Sequence, residues 1–156
     1  EDPVAIEISA TQAAFSFGQV ELISKLVDGK FPDYTRVIPK EHKNVMTVER
    51  EVLRQALLRA AILSNEKFRG VRWVLSAGSL KIISSNADQE EANEEIEVGY
   101  TGDAIDIGFN VNYLLDVLNN ISSSNIEARF GDASSSVLIE FPAEEEFKYV
   151  VMPMRI

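Results

Sequence analysis

One arrangement of apolar residues, a strand, a helix and three further strands, occurs twice in this chain, and no other feature restricts its fold as much. The first copy opens with a short strand at Asn44–Thr47. Val52, Leu53, Ala56, Leu57, Ala60 and Ala61 then recur at helical spacing, the signature of a helix with one buried face. Thr47 is the expected N-cap, with Glu49 and Glu51 in the first turn, where the helix dipole favours acids. Val71–Leu75 and Leu80–Ile83 flank the turn Ser76-Ala77-Gly78-Ser79, and Glu95–Tyr100 alternates. The second copy repeats the order. Ala104–Phe109 is a strand, Asn110 or Asn112 caps a helix, and that helix carries Val111, Leu114, Leu115, Leu118 and Ile121 on its apolar face. Strands follow at Ile126–Phe130, Val137–Phe141 and Phe147–Met152, the first two joined by Gly131-Asp132-Ala133-Ser134. The helices lie about 60 residues apart, as in an internal duplication. Two βαβββ units place two helices against a continuous antiparallel sheet, an α+β arrangement.

The segment before the repeat differs. Val4, Ile6 and Ile8, then Phe15 and Phe17, then Val20, Leu22 and Ile23 read as a three-strand meander. Lys25–Asn44 follows, with two Pro, one Gly and no lasting periodicity, which makes it the expected domain boundary. Three strands without a second layer form a poor independent unit. The first 30 or so residues therefore read as the end of a domain that begins earlier.

Charge divides the chain as sharply. The 156 residues carry a net charge of −10, which taken whole argues against a phosphate-rich partner. Residues 1–85 hold 12 Lys+Arg against 10 Asp+Glu, whereas residues 86–156 hold 3 against 15. Such asymmetry marks two faces with different tasks, although a solvated acidic surface would give the same count. Within the acidic part, Asp88–Glu95 lacks the ligand spacing and turn glycine of a calcium loop; it reads as a solvated loop or a partner-facing patch. No metal site is expected, and no cofactor. Nor does a catalytic group stand out: His42 is alone in a Lys-rich loop, there is no Cys, and no glycine-rich phosphate loop occurs. The absence of Cys suits a reducing compartment. No apolar run is long enough to span a membrane and the start is not that of a secretory signal, so a cytoplasmic protein is expected.

Two apolar features attract more interest. Tyr149-Val150-Val151-Met152-Pro153-Met154-Arg155-Ile156 ends the chain with two flexible thioethers around a proline. Proline stops regular strand pairing, and methionine adapts to varied partners. Phe31–Pro39 is apolar and aromatic within the boundary loop, and junctions between domains are common places for ligand pockets.

On these residues the sequence resembles the bacterial DNA polymerase sliding clamp, the β subunit of the replicative polymerase. The strings that carry the resemblance are SKLVDGKFPDYTRVIPK, RAAILSNEKFRGVR, IGFNVNYLLDVLN and YVVMPMRI. The resemblance implies a DNA clamp fold in a family whose subunits have three similar domains and pair into a ring around duplex DNA. Residues 1–33 would then be the last strands of the middle domain, and residues 34–156 the third domain. It implies a non-catalytic processivity factor without cofactor, associated with the nucleoid. Partners would be duplex DNA and the clamp-binding peptides of replicative and translesion polymerases, the clamp loader, mismatch repair proteins and ligase. The implied peptide pocket uses Pro32, Arg36, Val37, Tyr113, Ser136, Val150, Met152, Pro153, Met154 and Arg155, with its other wall on middle-domain residues upstream of Glu1. Ile62, Leu63, Asp88, Glu90, Glu91 and Glu94 match the subunit interface. Arg36, Lys40, Lys43, Arg50 and Arg54 are the bases available to face DNA. Without a first domain this chain is expected to be monomeric, although the full-length protein of the family is a homodimer ring.

Two other readings remain open on the residues themselves. An acidic adaptor, or a DNA mimic without ring function, would also explain the charge of residues 86–156. A small hydrolase would need a nucleophile and base, and none can be named.

Overall fold

In the computed structural model the described residues are 3–31, 33–40, 42–142 and 147–156. Pro32, one of the expected pocket residues, lies outside them. The chain divides into two compact units, residues 1–34 and 35–156.

The first unit is the meander. Strands β1 (Ala5–Ile8), β2 (Gln12–Phe17) and β3 (Val20–Lys25) pair antiparallel in that order, with Phe15 opposite both Ile6 and Leu22. Ala13 is buried, but Ile6, Ile8, Leu22 and Ile23 are exposed. Considered by itself, this sheet has little buried apolar surface of its own.

The second unit contains the repeat. Its elements run β4 (Asn44–Glu49), α1 (Arg50–Ile62), β5 (Gly70–Ser76), β6 (Ser79–Ser85) and β7 (Glu91–Glu97). The same order recurs as β8 (Ile105–Asn110), α2 (Val111–Asn119), β9 (Asn125–Phe130), β10 (Val137–Glu140) and β11 (Lys148–Val151). The strands do not form the single continuous sheet expected from the sequence. They form two four-stranded antiparallel sheets, ordered β11-β10-β9-β4 and β7-β6-β5-β8. Each sheet takes three strands from one repeat and the opening strand of the other, so β4 lies along β9 and β8 along β5. The sheets meet at two isolated bridges, Thr47 to Gly99 and Gly108 to Met154.

Both helices pack into one core. Helix α1 buries Leu53, Ala56, Leu57, Ala60 and Ala61, and its three small alanines let it lie close to α2 and β7. Helix α2 buries Val111, Leu114, Leu115, Val117 and Leu118, and Ile121 is buried just beyond its end. Between the sheets, Trp73 meets Phe109 edge to face with ring centroids 5.2 Å apart, and Phe130 tilts against the same indole at 6.4 Å. All three are fully buried.

Three local expectations are corrected. Thr47 does not cap α1, because its N–H and C=O both pair with Gly99, at 2.9 and 2.8 Å, and hold it in the strand. The helix starts after Glu49, and the Arg50 N–H donates to the Ser124 carbonyl at 2.8 Å instead of to a capping side chain. Val52, expected on the buried face, is exposed. Residues 91–94, read as part of a solvated loop or a partner-facing patch, belong to β7, the edge of its sheet. Inward-facing Ala92, Glu94 and Ile96 are half-buried there, and charges along an edge strand discourage unwanted pairing.

The loop after β9 is closed by one carboxylate. Asp132 accepts from the Ser134 N–H, the Ser134 hydroxyl and the Ser135 hydroxyl, each at 2.8 Å. These bonds stabilise the anion and lower its pKa from 3.8 to about 2. The stabilisation is present above the ordinary value and is lost as pH falls through the lowered one. In NMR titrations the Ser134 amide should therefore move with a midpoint near pH 2, and Asp132→Ala should abolish the transition. A midpoint at the ordinary aspartate value would show that the loop does not hold the carboxylate. In the core, Phe109→Ala should cost about 3–5 kcal/mol in urea unfolding, through lost burial and a cavity at the indole.

Candidate functional site

The end of the chain is built onto both sheets. Strand β11 is the edge of its sheet and pairs with β10, Val150 opposite Leu138 and Val151 opposite Val137. One step along that register, Ser136 comes opposite Met152. Val151 is buried, Val150 is half-buried, and Met152 is 64% exposed. Pro153 cannot donate to a ladder, so regular pairing ends there. The next residue joins the other sheet: the Met154 N–H donates to the Gly108 carbonyl at 2.9 Å. The tail thus crosses from β11 to β8 and presents thioethers on either side of a rigid proline.

Helix α2 supplies the neighbouring surface. The Tyr149 hydroxyl donates to the Tyr113 carbonyl at 3.1 Å, tying β11 to the first turn of α2. Burial raises the Tyr149 pKa, and Asp116 adds to the shift, so this phenol stays protonated and able to donate. The Tyr113 ring itself is 55% exposed. Asn110 caps α2 by accepting the Asn112 N–H at 2.9 Å, while its own amide donates to the Phe68 carbonyl at 3.3 Å. The expected pocket residues Tyr113, Ser136, Val150, Met152, Pro153, Met154 and Arg155 are thus carried by adjoining elements. Arg36 and Val37 lie at the head of the unit, on a 3-10 turn and just after it, both exposed. The hydrogen bonds just described do not include them.

Beside the tail runs a groove of about 650 Å³, lined by Phe68, Gly70, Ile83, Met154, Arg155 and Ile156 among others. Phe68 was not singled out from the sequence. It is exposed on a turn in which Asn65 Oδ1 accepts the N–H groups of both Lys67 and Phe68, at 3.0 and 3.1 Å. A large aromatic between two bases in a short polar loop was the available signal.

The acidic and basic candidates separate onto other surfaces. On the β7 edge, Arg59 clasps Glu94 through two bonds of 2.9 and 2.7 Å, which lowers the Glu94 pKa. Asn86 Oδ1 accepts the N–H groups of Asp88 and Glu90, so those two acids begin the turn into β7 beside Glu91. Ile62, at the end of α1, is 77% exposed, and Leu63 is half-buried. Arg50 and Arg54 lie where α1 meets α2. Arg50 donates to the Leu118 carbonyl and Arg54 to Asn119 Oδ1, both at 2.8 Å. Helix α2 has no basic residue in its own last turn, so these guanidiniums satisfy and neutralise its C-terminal end. Lys40 and Lys43 are exposed on the loop before β4.

Comparison with known proteins gives this arrangement a family. Residues 35–155 match the model described as DNA polymerase III beta subunit, C-terminal domain. Over all 156 residues the chain is 47% identical to the beta sliding clamps of Pseudomonas putida and Escherichia coli K12, covering 42% and 43% of those proteins. It thus spans about two fifths of the length of the curated relatives it matches. Among solved structures, a Pseudomonas aeruginosa DNA polymerase sliding clamp bound to griselimycin matches 98% of this chain and 42% of its own, at 46% identity and TM-score 0.81. Caulobacter crescentus pol III beta matches 98% of this chain and 41% of its own, at 38% identity and TM-score 0.84. With two helices packed on antiparallel sheets in the same arrangement, the chain belongs to the DNA polymerase III beta subunit family, the sliding clamps, through its C-terminal domain.

Proposed function

We propose that residues 34–156 act as the third domain of a processivity clamp, with residues 1–33 as the closing strands of a middle domain. In this reading the chain performs no catalysis. It holds proteins near DNA by binding their short apolar peptides at the tail. The observation that carries the reading is the tail itself: Met152 stands exposed beside Ser136 and Val150, and Tyr113 presents an exposed ring from the neighbouring helix. A rigid frame with adaptable thioethers suits peptides of varied sequence, such as those of polymerases, the clamp loader, mismatch repair proteins and ligase. The griselimycin-bound clamp of P. aeruginosa, a relative over this whole region, supports a ligand site in the family. Arg36 and Val37 complete the second unit's share of the pocket.

The remaining surfaces take the other clamp tasks. Ile62 and Leu63, with Asp88, Glu90, Glu91 and Glu94, form the edge that meets a second subunit, where charges of one sign orient association more than they strengthen it. Arg36, Lys40, Lys43, Arg50 and Arg54 face duplex DNA. A clamp that slides must use sparse phosphate contacts and no base readout. The setting is the nucleoid in bacterial cytoplasm.

Fluorescence titration with a labelled, Gln- and Leu-containing clamp-binding peptide tests the reading. Deleting Met152–Ile156 should eliminate binding, and the double substitution Met152→Ala, Arg155→Ala should weaken it about tenfold or more. Binding that survives the deletion would favour an acidic adaptor acting through β7. Duplex DNA should bind weakly, with affinity falling linearly in log salt and with no sequence preference; tight binding at high salt would contradict the sliding role. In light scattering the chain should be a monomer, and a stable ring-sized dimer would refute the proposed interface.

A further inference from the structure

The tail rests on two glycines of the sheet, Gly70 and Gly108. On the outward face of the β5–β8 pair, Gly70 lies opposite Asn110 and Arg72 lies opposite Gly108. Arg72 and Asp106 turn toward each other in a two-bond ion pair, with Arg72 Nε 2.7 Å from the carboxylate. Between that pair and Asn110, only Gly70 and Gly108 occupy the surface, and residues 154–156 lie over them. The two glycines differ in how closely the tail approaches. A Cβ on Gly108 would stand 2.5 Å from the Met154 carbonyl oxygen and 2.7 Å from Cγ1 and Cδ1 of Ile156. A Cβ on Gly70 would meet Ile156 Cδ1 at 3.4 Å and Met154 Cε at 3.9 Å, which is ordinary contact.

Nothing else demands glycine at position 108. Its φ is not in the left-handed region, unlike those of Gly18, Gly29 and Gly78. Its place in the repeat also permits a side chain, since the fourth residue of β4 is Thr47 and the fourth residue of β8 is Gly108. These are the two positions at which the sheets are bridged. At the first bridge the glycine is on the incoming segment, Gly99; at the second it is on the strand, and the incoming segment keeps its side chains. In the second repeat the glycine is on the strand, and Met154 approaches it while still carrying its thioether.

We infer that Gly108 is the positioning residue of the peptide site, a backbone seat that holds Met152–Arg155 in their binding arrangement before any partner arrives. The inference rests on the peptide-binding reading above. A tail that must be ordered during binding loses affinity relative to one already ordered.

Methyl NMR of the chain tests it, because the protein has three methionines and each reports a different thing. Met46 is fully buried and follows the fold; Met154 follows the seat; Met152 follows the peptide. In Gly108→Ala the Met154 methyl should move to its flexible-chain position while Met46 is unchanged, and affinity for the labelled peptide should fall about tenfold or more. Gly70→Ala should leave both unchanged. Ile156→Ala, which weakens the seat without altering the sheet, should give an intermediate Met154 shift and a several-fold loss, and it decides the matter if Gly108→Ala perturbs Met46. A released Met154 with undiminished peptide affinity overturns the inference and leaves peptide binding intact. Failure of the unsubstituted chain to shift Met152 with peptide removes the binding reading, and the inference with it.

Discussion

Neither repeat of this chain can finish its own sheet. The opening strand of each is donated to the other, β4 to β9 and β8 to β5, and the rest of the second unit depends on that exchange. It fixes α1 and α2 side by side, because each helix follows directly from a donated strand and must return to its own repeat across the shared core. It also explains the placing of Trp73, Phe109 and Phe130, which come from β5, β8 and β9 and meet across the exchange. Such pairings are distant in sequence, so a substitution at the aromatic cluster weakens both halves together. The two bridges between the sheets, at Thr47 and Gly108, are consequences of the same geometry.

The repeat was legible because helical and strand periodicity are local signals, and each of its ten elements left one. The exchange was not, since nothing in the spacing of Asn44–Thr47 or Ala104–Phe109 says which repeat supplies the neighbour. Thr47 shows how a local preference loses: its hydroxyl suits a helix cap, but two backbone bonds to Gly99 keep it extended. The first half of strand β7, residues 91–94, was hidden by its composition, since Ile96 is the strand's one large apolar residue facing inward. At the site, Met-Pro-Met announced the tail through the chemistry of those residues. Phe68 and Gly108 left weaker marks, because an exposed ring and a close backbone approach are properties of position in space.

Charge follows the same division of labour. The bases of α1 that could meet phosphate also serve structure, for Arg50 and Arg54 close the C-terminal end of α2. Six acids, Asp88, Glu90, Glu91, Glu94, Glu95 and Glu97, lie on and just before β7, where Arg59 holds Glu94 in place. A net charge of −10 is therefore compatible with the proposed phosphate-facing surface, provided that the acids point elsewhere. What matters is the sign of each surface, and the whole-chain sum conceals it.

The central claim is that the tail, framed by β11, β8 and the start of α2, is where short apolar peptides bind. A crystal structure of the chain with a Gln- and Leu-containing clamp-binding peptide tests it most directly. The account predicts peptide density against Met152, Met154 and the Tyr113 ring, with the Met154–Gly108 bond retained. Density against the acidic edge of β7 with a bare tail would contradict it.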